Sequence, residues 1–285
     1  MSHHALQKIL VRMLFDEDFV EDIYAAPERT FAGLDLTEAE RGQLLGVDRR
    51  AWRHDPLRRR RTLRTLVEEF KVSTTIVLAE TRSLASLERF FSSPFFHRSI
   101  EDRASMGMAF AEFLLDGSRR GEWNSPQIAD IARLEAAIAG CRRALAREGT
   151  LAEEAPKTIS DKTRVRLAPG YDVAGFQSNI ISAIQRVEQY LFELSLMPAM
   201  ALCDDAPRLP ALPEIDEQKK VYLLFSPGVA GISITNIGKP DFLILYETKR
   251  AVEIRSLLSR LAPARARQAQ DILAEWLENG ALITV

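Results

Sequence analysis

The sequence predicts a mostly α-helical protein that ends in a small α+β module. Three observations carry this prediction. Apolar residues recur at helical spacing through the first 150 residues. Three prolines, Pro207, Pro210 and Pro213, fall within residues 204–217 and force an extended or looped connection. Beyond that stretch, runs rich in β-branched and aromatic residues replace the helical pattern.

Each element follows in order. "ALQKILVRMLFDEDFVEDIYAA" places Leu6, Ile9, Leu10, Met13 and Leu14 on one helical face until Pro27 interrupts. Thr37 followed by Glu40 forms a capping-box pattern at the head of "TEAERGQLLGV". This small helical unit closes near "RHDP", giving a first domain over 1–56. A long basic helix is expected from Leu57 to the serines before Pro94, and "SIEDRASMGMAFAEFLLDG" is a further helix with a stop at Gly117. "NSPQIADIARLEAAIAGCRRALARE" is the clearest helix, with Asn124 and Ser125 as capping candidates. These elements form a second helical domain, 57–150.

The third domain, 151–285, is predicted to be a peptide-recognition module with a winged-helix-like end. "TRVRLAPG" (163–170) alternates as a strand does. "DVAGFQSNIISAIQRVEQYLFELSLMPAM" is expected to be helical. "KVYLLFS" and "GISITNI" flank Pro227–Ala230 as a hairpin, and "KPDFLILYETKR" favours a helix because Pro240 and Asp241 stand at its start. Two more helices follow, and "ALITV" is a closing strand. That strand is too short to stand alone and is expected to pair with 221–226 or 231–236.

Composition bounds the function. At 285 residues with 46% hydrophobic and 27% charged content, the chain is long enough for a substantial core. A net charge of −2 argues against a general nucleic-acid binder. Cys141 and Cys203 stand far apart with no CxxC, which suits a reducing, cytoplasmic setting. The N-terminal stretch meets acidic residues early and has the pattern of neither a signal peptide nor a membrane span. Four histidines make no HxxxH or HExxH, so no metal site is expected, and there is no GxSxG or GxGxxG. The chain therefore reads as a binding protein, not an enzyme.

Two features remain as binding candidates. Arg58, Arg59, Arg60 and Arg61 form a basic run that could dock an acidic partner, and Phe95 and Phe96 in "RFFSSPFF" could join it. In the C-terminal module, Val221, Leu223, Phe225, Ile232, Ile234, Ile272, Trp276 and Leu282 could receive an extended peptide as an added strand beside a helix. A DNA-binding transcriptional regulator is the alternative. The helix "RARQAQDILAEWLEN" opens with the residues a DNA reader needs, but ends with carboxylates that repel phosphate.

The elements "DIARLEAAIAGCRRAL", "TRVRLAPG", "KVYLLFSPGVAGISIT" and "ILAEWLENGALI" occur in an order that resembles accessory proteins of multinuclear non-haem iron-dependent oxidases, most of all those of 3-thiaglutamate biosynthesis. The first 55 residues resemble the LigA-type small subunit of extradiol dioxygenases. The resemblance implies a TIM-barrel oxidase partner that holds the iron, with no cofactor in this chain. It also implies a natural-product pathway in which a ribosomally made precursor or carrier peptide (RiPP chemistry) is gripped by its leader. The cysteine is then presented to the oxidase in a heterodimer. Neither a membrane nor nucleic acid is an expected partner.

Overall fold

The computed structural model describes residues 3–52, 56–148, 160–197, 207–216, 218–229, 231–260 and 263–285. The chain divides into two compact units, Met1–Ala132 with Tyr190–Leu209, and Arg133–Gln189 with Pro210–Val285. Two of the three divisions fall inside helices, within Gln127–Glu148 and Ile180–Leu196, and the third, between Leu209 and Pro210, falls in the proline-bearing connector read from the sequence. Mostly helical secondary structure accompanies a small β portion of two three-stranded sheets.

The first unit is helical. It begins with α1 (His3–Phe15), α2 (Glu17–Ala25), α3 (Pro27–Thr30), α4 (Glu38–Gly46) and α5 (Arg49–Trp52). The Thr37–Glu40 capping box forms as predicted: the Thr37 hydroxyl accepts from the Glu40 N–H, and the Glu40 carboxylate accepts from the Thr37 N–H at 2.7 Å. Ile9, Met13, Phe19, Val20, Ile23, Phe31, Leu36 and Leu44 make a separate small core for these helices.

The long basic helix is a correction. It breaks into α6 (Pro56–Glu69), α7 (Lys71–Thr81), α8 (Ala85–Glu88) and a 3₁₀ turn over Arg89–Ser92. The first break is at Phe70, whose backbone leaves the helical region (φ −111°, ψ 47°) while its ring is fully buried edge-on to Phe110. The Thr74 hydroxyl donates to the carbonyl of Phe70 at 2.7 Å, steadying the turn. Next come α9 (Pro94–Glu101), α10 (Met106–Arg119) and α11 (Gln127–Glu148). Phe90 sits among Phe91, Phe96, Phe110 and Phe113 with ring centroids 5.1–5.7 Å apart. Gly117 lies inside α10, not at its end, and its lack of a side chain makes room for the Trp123 ring packed directly over it. The N–H groups ahead of α11 are satisfied by Glu80, whose carboxylate accepts from Asn124 and Ser125 at 2.8 Å each.

The second unit carries both sheets. One is β1 (Arg164–Leu167), β5 (Val252–Glu253) and β6 (Leu282–Thr284), in the order β5–β1–β6. The other is β2 (Asp172–Gln177), β3 (Lys220–Gly228) and β4 (Gly231–Ile237), in the order β2–β3–β4. Residues 172–177, expected to start a helix, are thus a strand, and α12 spans Ile180–Leu196. Pairing with β3 over six consecutive residues overrides the local helical pattern.

After β4 come α13 (Lys239–Glu247), α14 (Ile254–Ser259) and α15 (Pro263–Glu278). The helical reading of "KPDFLILYETKR" holds. The expected partner of the closing strand does not: β6 pairs with β1, with Arg166 opposite Ile283, and not with the hairpin. The cause is local. Gly280 adopts φ 71°, and the N–H of Ala281 returns to the carbonyl of Trp276 at 3.0 Å, which turns the chain back toward β1. Leu282 then enters a core with Val165, Leu167, Ile254, Leu257, Leu273 and Leu277.

Candidate functional site

The second sheet has two edges, and they are built differently. The β3–β4 register closes on Gly228 opposite Gly231, leaving a two-residue turn. In such a hairpin the closing pair exchanges both hydrogen bonds, and bonded and non-bonded pairs then alternate. Gly231, Ser233, Thr235 and Ile237 therefore turn their backbone groups toward β3, while Ile232, Ile234 and Asn236 turn theirs outward. Pro227 fits this pattern. It stands opposite Ile232 in a non-bonded pair, so its missing N–H takes nothing from the β3–β4 ladder.

The same alternation points Val173, Gly175 and Gln177 outward from β2. That edge is occupied within the unit. The Val173 N–H donates to the Asp172 carboxylate at 2.8 Å, and the Arg133 guanidinium donates to the Gly175 carbonyl at 3.2 Å. Among the described residues, no strand lies beyond β4. Ile232, Ile234 and Asn236 thus present a row of outward N–H and C=O groups that an extended segment could pair with.

The register also sorts the side chains predicted to bind peptide. Val221, Leu223, Phe225, Ile232 and Ile234 share one face, since Phe225 stands opposite Ile234 and successive residues alternate. Leu223 and Phe225 are buried, Val221 and Ile232 half-buried, and Ile234 is 40% exposed. Ile272, Trp276 and Leu282 lie elsewhere, in the core that meets the other face through Val173, Leu224 and Ile237. Ile272 and Leu282 are buried there, and the indole Nε1 of Trp276 donates to Asp241 Oδ1 at 3.1 Å. Five of the eight residues therefore come together, and three belong to a different layer.

That other face carries a groove absent from the sequence reading. Between α13 and α15, a volume of about 230 Å³ is lined by Pro240, Leu243, Ile244, Ala269 and Ile272, with exposed Lys239 and Gln268 beside them. Phe242 stacks on Tyr222 at 4.6 Å and holds α13 against the sheet. Since α13 begins two residues after β4 ends, one end of the open edge runs into the groove. The signal was present: five successive apolar residues, 242–246, exceed what one helical face can bury, and Leu243 and Tyr246 are left exposed.

In the first unit, the predicted partner residues divide as well. Arg59 serves its own fold, pairing with Glu17 at 2.9 Å and lying over the Phe91 ring. Arg58 is half-buried, while Arg60 and Arg61 are exposed. Phe96 is fully buried, and Phe95 is half-buried beneath the Arg98 guanidinium. Among the described residues of this unit, Phe192 and Leu196, one turn apart on α12, stand out as exposed large apolar side chains, at 59% and 69%.

Sequence reasoning also missed a buried carboxylate. Asp16, 2% exposed, caps α2 through the Phe19 N–H and accepts from the Ser92 hydroxyl at 2.9 Å, His97 Nε2 at 2.8 Å and Arg12 Nε at 3.3 Å. Burial pushes its pKa up, but the bonds from His97, Phe19 and Ser92 outweigh this and hold it below the usual carboxylate range. Asp16 sits between serine and histidine, so the histidine is not aimed at the hydroxyl and the group is not a nucleophilic triad.

Among the described residues no cluster of three or more His, Cys, Asp or Glu side chains could hold a metal ion, and no helix is long and apolar enough to cross a membrane. Burial pushes the Cys141 thiol up to about 12, with Asp172 adding to the effect, so it is not a nucleophile at neutral pH. Cys203 and His54 lie outside the described residues. The chain matches no protein-family model and no curated protein sequence.

Proposed function

We propose that this chain is a non-catalytic, cytoplasmic partner subunit of an iron-dependent peptide-modifying oxidase. Its second unit binds an extended segment of a ribosomal precursor or carrier peptide by strand addition to β4 and presents the peptide cysteine to the oxidase. The observation that carries the reading is the asymmetry of the sheet: the β2 edge is occupied by Asp172 and Arg133, and the β4 edge is open. Strand addition takes affinity from main-chain bonds and selectivity from alternate side chains. Holding a remote segment raises the effective concentration of the reactive cysteine at the partner's active site. The resemblance noted in the sequence supplies the oxidase, and the iron belongs to that partner.

We read α13, β5, α14, α15 and β6 as a winged-helix-like arrangement whose central strand, β1, comes from upstream in the chain. Phe192 and Leu196 are better placed than the buried Phe96 to meet the oxidase. A DNA reader draws support from exposed Arg267, Gln268 and Gln270 on α15. Asp271, Glu275 and Glu278 continue the exposed helix with the wrong charge for phosphate.

The test is selection of the full chain against a displayed library of random peptides, followed by titration of the winners. Ile234→Pro removes an outward donor and leaves the β3–β4 bonds in place, so it should abolish binding while the circular dichroism spectrum stays native. Winners that bind Ile234→Pro as tightly as the unaltered chain would rule out this edge. Salt-sensitive binding of random duplex DNA in preference to any peptide would favour the regulator.

A further inference from the structure

We propose that the segment added to β4 is acidic at the end nearest Lys220 and Lys239, and carries an apolar residue that enters the groove between α13 and α15. The inference rests on the strand-addition reading and names the chemistry of the occupant.

Charge along the open edge is uneven. β4 reads Gly-Ile-Ser-Ile-Thr-Asn-Ile and has no charged residue, and the turn end carries only Val229 and Ala230 between glycines. The far end is basic. Tyr222 stands opposite Ile237 in the last pair of the ladder, and Lys220 and Lys239 each lie two residues beyond it, Lys239 as the first residue of α13. Both lysines are exposed, and among the described residues neither forms an ion pair. Of the charged groups beside them, Lys219 pairs with Asp216 at 3.4 Å, and Asp241, two residues after Lys239, accepts from the Trp276 indole. Lys220 and Lys239 thus bring two positive charges to one end of a strand that carries none of its own, and the single Asp241 carboxylate beside Gly238 offsets only part of them.

The lysines also lie on the groove side. Lys220 alternates with Tyr222 and Leu224 onto the face that α13 covers, and Lys239 is the first residue of α13 and part of the groove wall. A strand beside β4 sends every second side chain to that same face. One such side chain can reach the apolar wall of Leu243 and Ile272, and a neighbour on the same face can bring a carboxylate toward the lysines. Opposite charges at the rim fix register and direction more than they add affinity. An edge of uncharged residues needs such a marker, because main-chain pairing alone leaves register weakly specified.

The experiment uses the same random peptide library against the full chain and against a Lys220→Glu/Lys239→Glu variant. Winners for the unaltered chain should carry Asp or Glu clustered at one end, with an apolar residue at a fixed spacing from them. Their affinity for the double variant should fall about tenfold at low salt and much less at high salt. Peptides with Lys in place of the acids should recover binding to the double variant. Winners that need an intact Ile234 but show no acidic bias, or that bind both chains equally, overturn this inference and leave strand addition standing. An absence of winners for the unaltered chain overturns strand addition and this inference together.

Discussion

Replacing Asp16 with alanine tests how the first unit is held together. The side chain caps α2, and its loss removes a bond to the Phe19 N–H worth about 1 kcal/mol. It also leaves Ser92, His97 and Arg12 without their shared acceptor. A hydrogen bond to a charged acceptor contributes roughly 1.5–3 kcal/mol, but these three partners are only partly buried and act as one network. A net loss of about 3 kcal/mol follows, which for a unit of this size lowers Tm by roughly 6–12 °C. The loss has a pH signature. The folded state holds the Asp16 proton more weakly than the unfolded chain does, so the contribution is complete above the unfolded value of 3.8. It drains away as pH falls through the lower folded value. Calorimetric unfolding at pH 7 and at several points below pH 4 should therefore show the gap between wild type and Asp16→Ala closing with acid. A variant as stable as wild type at pH 7, or a gap that does not change with pH, would refute the reasoning.

Two further outcomes are expected. Gly117→Ala should destabilise the chain by about 1–3 kcal/mol in a urea titration despite alanine's better helix propensity, because the new methyl would lie 2.6 Å from the rigid Trp123 ring; unchanged stability would mean the ring is free to move. In a Cys203→Ser background, Cys141 should resist iodoacetamide at pH 8 while the chain is folded and react fully in urea, since it is buried with its thiol pushed up to about 12; rapid alkylation of the folded chain would contradict that placement.

Local patterns were legible and long-range pairings were not. The Thr37–Glu40 box, the hairpin and the helix after Gly238 depend on neighbours within a few residues, and each appears where the sequence put it, whereas the first helix, read as continuous to Pro27, breaks at Asp16, which caps α2. The helix break at Phe70 depends on a pocket beside Phe110, forty residues away. The strand 172–177 depends on β3 across the intervening α12. The partner of β6 was misjudged because any apolar strand satisfies the same pattern, and the Gly280 turn decides the choice. At the candidate site, the sequence marked the hairpin residues but could not separate those on the edge face from Ile272, Trp276 and Leu282 behind it. Asp16 was invisible because its partners Ser92 and His97 lie more than seventy residues away.

The open edge of β4 is the centre of this account, and amide hydrogen exchange reads it residue by residue. In the free chain, the N–H groups of Ser233, Thr235 and Ile237 should be protected by β3, while those of Ile232, Ile234 and Asn236 exchange at near-solvent rates. Saturation with a selected peptide should slow the second group by at least about tenfold, as expected for amides newly bonded in a ladder. Protection of Ile232, Ile234 and Asn236 in the free chain, or their continued rapid exchange in the saturated complex, would contradict it.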